Sequence, residues 1–86
     1  MNYNELSEEE QIELVRETPS DIEYIDDPSE AVQLATVQTD GMTVECIDDP
    51  SEAVQLAAVQ ENGFALKYIK TPTKHVAIIG LLHMIS

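Results

Sequence analysis

Residues 25–35, Ile-Asp-Asp-Pro-Ser-Glu-Ala-Val-Gln-Leu-Ala, recur letter for letter at 47–57, an offset of 22 residues. Aligned position by position, 25–46 and 47–68 share 14 of 22 residues. A fixed short period means stacked copies of one small supersecondary unit, because a single copy is too small to bury its own apolar face. The register continues outward without a gap. Shifted back by 22, Ser29 and Glu30 meet Ser7 and Glu8, Gln33 meets Gln11, and Val37 meets Val15. Shifted forward, Ile47 meets Ile69, Pro50 meets Pro72, and Val54 meets Val76. The expectation is an all-α chain, a short right-handed solenoid of about four helix-turn-helix repeats, folding as one domain over 1–86. Its units lie at about 3–24, 25–46, 47–68 and 69–86.

Each unit reads as two short helices. Asp27-Pro-Ser-Glu and Asp49-Pro-Ser-Glu are helix starts, with Asp27 and Asp49 as caps, proline in the first turn and Glu30 or Glu52 in the capping-box position. Thr71-Pro72 starts the last unit in the same way. The stretch 53–60 is apolar around most of its circumference, apart from Gln55 and Gln60, so it should lie between neighbours on both sides. Asp40-Gly41 and Asn62-Gly63 end the helices, with each glycine in the left-handed conformation. The segment 64–69 has room for one or two turns and needs packing to form. Ala35, Ala57 and Ala58 permit close helix approach, and Gly80 stands in the register of Ala58 as a small contact residue. The single cysteine, Cys46, aligns with Tyr24 and Tyr68; a buried structural thiol is expected. One cysteine allows no internal disulfide, in keeping with a reducing compartment.

The net charge is −13, and it is graded along the chain. Unit one has eight acids against Arg16, unit two five acids, unit three four acids against Lys67, and unit four only Lys70 and Lys74. The units thus run from −7 through −5 and −3 to +2. Phosphate binding depends on Lys and Arg, so direct nucleic-acid binding is not expected. The natural partner is a basic protein surface. Candidate partner-binding residues are Glu8, Glu9, Glu10, Asp26, Asp27, Glu30, Asp48, Asp49 and Glu52, which stacking should line up along one edge. The plain alternative is a set of helix caps and solvated loop residues. The acids lack the spacing of a calcium loop. His75 and His83 stand eight apart with no companion ligands, so no metal, cofactor or catalytic residue is expected, and the chain is not read as an enzyme.

The last unit has lost the polar positions of its predecessors. Residues 76–82 are almost wholly apolar, where a terminal repeat should present a polar outer face. Ile78, Ile79, Leu81, Leu82, Met84 and Ile85 form a candidate self-association face, and a two-fold homodimer through it would hold the acidic ends apart. No segment has the length of a membrane span, and the acidic start is unlike a signal peptide.

The shared pattern is carried by Ile47, Pro50, Ser51, Glu52, residues 54–59, Asn62, Gly63, Ala65, Leu66 and Tyr68. It resembles the short helical-pair repeats of uncharacterised phage and bacterial proteins, grouped as a domain of unknown function. The resemblance covers 25–72 well and the ends weakly. It implies an all-α array, a phage or mobile-element setting, a location in the cytoplasm of a bacterial host, and no activity. With the acidic edge, it leads to a non-catalytic protein-binding module of the phage-type inhibitor kind. Such a protein, anti-CRISPR-like and mimicking nucleic acid, occupies a basic surface of a host nucleic-acid-binding effector. The alternative is a scaffolding module acting through its apolar C-terminal unit.

Overall fold

The computed structural model describes residues 3–85. These are all-helical, without strands. Four α-helices alternate with 3-10 helices: η1 (Tyr3–Glu5), α1 (Glu8–Glu17), η2 (Pro19–Tyr24), α2 (Glu30–Thr39), η3 (Gly41–Cys46), α3 (Glu52–Glu61), η4 (Gly63–Tyr68) and α4 (Lys74–Met84). Consecutive α-helices pack on one another in chain order, as do η2, η3 and η4. Each of η2, η3 and η4 also touches the α-helix before it and the one after it. The body measures 39 × 22 × 16 Å. None of the described helices is long and apolar enough to cross a membrane.

The core follows the 22-residue register. Val15, Val37 and Val59 share one position, and Val32, Val54 and Val76 another; all six are fully buried. Ile25, Ile47 and Ile69 line a third position, just beyond each 3-10 helix. Full burial of a valine side chain is worth about 1.5–3 kcal/mol, so these columns are the main attractive term between units. The one buried hydroxyl inside an α-helix is satisfied locally: Thr36 Oγ1 donates to the Val32 carbonyl at 3.0 Å. As expected, Ala35 and Ala58 are buried small contacts, and Gly80 packs against Leu66 and Val59.

The helix starts differ from expectation. The caps are Ser7, Ser29, Ser51 and Thr73, each accepting from the backbone N–H three residues on. Asp27 and Asp49 are not caps: they sit in the left-handed region at φ 50° and 51°. A residue before proline is pushed away from the right-handed helical region, and aspartate tolerates the left-handed one better than most. Pro28 and Pro50 therefore precede the cap, and their carbonyls accept from Gln33 Nε2 and Gln55 Nε2, both at 2.9 Å. A capping box forms only in α1, between Ser7 and Glu10, because the equivalent positions downstream are valines. The Ser7 backbone N–H donates to Glu10 and holds its carboxyl below the ordinary range. This contribution is present above the unfolded carboxyl pKa and fades as pH falls through the lowered one. Ser51→Ala should cost about 1 kcal/mol in urea unfolding. A wild-type midpoint for that variant would move the cap elsewhere.

The helix ends differ as well. No described glycine has a positive φ. Gly41 and Gly63 instead open the 3-10 helices, where a Cβ would collide with the next α-helix. At Gly41 it would strike the Ala58 carbonyl, and at Gly63 it would lie 2.5 Å from both Gly80 O and Met84 N. Asp40 and Asn62 each end an α-helix and begin a 3-10 helix, accepting from the N–H of Met42 at 3.1 Å and of Phe64 at 3.0 Å. These side-chain turns, and the shortness of the segments, favour the tighter helix.

Candidate functional site

All nine candidate partner-binding residues, Glu8, Glu9, Glu10, Asp26, Asp27, Glu30, Asp48, Asp49 and Glu52, are exposed. Two long-range contacts show that the N-terminal edges of successive α-helices lie side by side. Asn4, before α1, donates to Asp26 Oδ2 at 3.3 Å and accepts from the Asp26 N–H at 2.7 Å. Ser51, the cap of α3, donates to Glu30 Oε1 at 3.2 Å. Glu8, Glu30 and Glu52 open the first turns of α1, α2 and α3, and Lys74 takes that place in α4. Acids at helix N-termini suit the macrodipole, by about 0.3–1 kcal/mol each, so part of this edge is explained by stability alone.

Between successive loops lie two matching hollows, of about 420 and 320 Å³. The first is lined by Glu23, Asp26, Asp27, Gln33, Cys46 and Asp48 among others. The second repeats it one unit on, with Glu45, Asp48, Asp49, Gln55, Tyr68 and Lys70. Asp48 belongs to both. Lys70 stands where the first hollow has Asp48, so the first is the more negative. The second holds a buried acceptor, Gln55 Oε1, with no hydrogen-bond partner in the structure. Carboxylates dominate the charged lining of both hollows, chemically matched to N–H donors such as lysine or arginine, and Lys70 offsets part of that charge in the second. The sequence reading missed Gln33 and Gln55 as wall residues. Their recurrence at 11, 33 and 55 was the available signal.

Cys46 corrects an expectation: it is exposed. Its register partner Tyr24 is 59% exposed and Tyr68 half-buried, so this position is the rim of the 3-10 helix rather than its core face. Partial burial of the thiol pushes its pKa up, and Glu23, Glu45 and Asp40 push it further. A raised pKa leaves little thiolate at neutral pH, which argues against nucleophilic chemistry there. Tyr24 is likewise raised, chiefly by its hydrogen bond with Glu23. Both histidines are exposed. Among the described residues, no group of three or more His, Cys, Asp or Glu side chains is arranged to hold a metal ion.

The candidate self-association residues lie on α4 and just beyond it. Ile78, Leu81 and Leu82 are each about half exposed and Ile85 is 83% exposed, whereas Ile79 and Met84 are half-buried. Ile78, Leu81, Leu82, Met84 and Ile85 together line a shallow depression. Ile79 packs against the core instead, so it belongs with the fold. Comparison with known protein families, with curated proteins and with solved structures finds no match in any of the three.

Proposed function

We propose that the chain is a non-catalytic protein-binding module, a short solenoid of about four units whose acidic edge docks on a basic protein surface. The observation that carries this reading is the pair of acidic hollows one repeat apart, with the exposed Asp26, Asp27, Asp48 and Asp49 in their walls. Such a row presents negative charge at regular steps, as a nucleic-acid backbone does. It would steer a lysine- and arginine-rich cleft onto itself. In a bacterial cytoplasm, with the phage setting that the repeat resemblance implies, this makes the chain an inhibitor of a host nucleic-acid-binding effector.

The test is a titration against a lysine- and arginine-rich nucleic-acid-binding domain, with its own nucleic acid as competitor. The fourfold variant Asp26→Asn, Asp27→Asn, Asp48→Asn, Asp49→Asn keeps the turns, since asparagine tolerates the left-handed region. Loss of these charges should weaken binding by about tenfold or more, and raising salt should weaken the parent complex. Unchanged affinity with unchanged helicity would reduce the edge to a set of helix-end charges.

A second reading is favoured by the exposed apolar side of α4, namely a scaffolding module that self-associates through that side.

A further inference from the structure

We propose that the outer face of α4 is covered by the same face of a second copy, tail to tail about a two-fold axis, and not by the N-terminal unit of the next copy. This rests on the second reading, self-association, and specifies its geometry.

The repeat register shows what the face is for. Ile78 takes the place of Leu34 and Leu56, which are half-buried against the core, and Leu81 the place of Val37 and Val59, which are fully buried. In α2 and α3 these positions are covered; on α4 they are 49% and 55% exposed. Leu82 and Ile85 widen the patch beyond the register, replacing Gln60 and Gly63. Four such side chains expose on the order of 400 Å² of apolar surface, within the roughly 300–600 Å² of the largest, often functional, patch on a monomer.

The opposite end of the body shows what does not cover it. A second copy extending the stack would place α1 on α4. On α1, Glu10 and Glu13 occupy the register of Val32 and Ala35, which are buried in α2. Stacking α1 on α4 would therefore press two carboxylates against Ile78 and Leu81. There the two carboxylates would lose water without gaining a charged partner, Glu10 keeping only its hydrogen bond from the Ser7 N–H. A tail-to-tail contact brings apolar side chains together instead. It joins the two least charged units, each at +2, and leaves the −7 units at the far ends of bodies 39 Å long. That separation exceeds the Debye length of about 8 Å at physiological salt. An isologous contact also closes at two copies.

Sedimentation equilibrium of the full chain tests this across about 1 to 500 µM. The expected mass rises from 9.6 kDa to twice that value and stops, and it does not fall as salt is raised. Leu82→Gln restores a residue that α2 and α3 already carry at this position, so it should fold. Together with Ile85→Glu it should return the mass to that of one chain with unchanged helicity. A mass that grows past two copies would overturn the tail-to-tail geometry while leaving self-association standing. A single-chain mass at every concentration would overturn both. A dimer that survives Leu82→Gln with Ile85→Glu would place the contact elsewhere.

Discussion

Gly63→Ala should unfold this chain far more readily than Gly80→Ala. The new Cβ would lie 2.5 Å from Gly80 O and from Met84 N, and 2.8 Å from His83 C. All three are backbone atoms of α4, so no side chain can swing aside. The helix must move off η4, opening the packing around Ala65 and Val76, both fully buried. Overpacking of this kind costs about 3 kcal/mol, a fall in Tm on the order of 15 °C for a domain of this size. Gly80→Ala is the contrast. Its Cβ would meet only Leu66 and Val59 side-chain atoms at 3.3–3.4 Å, while alanine returns up to about 1 kcal/mol of helix propensity. Near-neutrality is expected there. Thermal melts of the two variants, followed by circular dichroism, decide the matter. Equal and small losses in both would mean that η4 and α4 are not in backbone contact.

The second large effect concerns the turn at Asp49. With φ at 51°, a β-branched residue is badly placed, and Asp49→Val should cost about 2 kcal/mol in urea unfolding. Asp49→Asn should be close to neutral, and Asp49→Gly neutral or mildly stabilising. The signature of a left-handed backbone is glycine at or above the parent together with the loss of about 2 kcal/mol for valine. A helix cap would give the same order with glycine a few tenths of a kcal/mol below the parent and valine losing only about 1 kcal/mol, as alanine does. The Asn variant also removes the charge while keeping the turn, so it separates the contribution of Asp49 to folding from its contribution to partner binding.

The repeat register held clues that a unit-by-unit reading passes over. Asp-Pro-Ser-Glu offers two cap residues two positions apart, and within one unit either is reasonable. Across four units only the later one persists as a hydroxyl: Ser7, Ser29, Ser51 and Thr73. The position of Asp27 is Glu5 in the first unit. The glycines carried a similar clue. Gly41 and Gly63 align with Pro19, whose ring holds φ negative, so the shared position could not be left-handed in every unit. Cys46 is exposed although an apolar residue in register with two tyrosines resembles a core position. Yet tyrosine also favours a rim, where its ring packs and its hydroxyl stays wet.

The sequence by itself determined the all-helical architecture, the 22-residue register, the valine and isoleucine columns of the core and the charge gradient. These follow from local spacing and composition, which act through residues close together in the chain. The tertiary structure decided what depends on residues 17 or more positions apart. It set Asn4 on Asp26 and Ser51 on Glu30, which brings the acidic helix starts to one edge. It made Gly41 and Gly63 points of backbone contact rather than turns. It left Leu81 bare where Val37 and Val59 are covered. The copies are nearly identical in sequence at their centre, but a residue is buried only if a neighbour stands over it, and that neighbour is supplied by the adjacent helix.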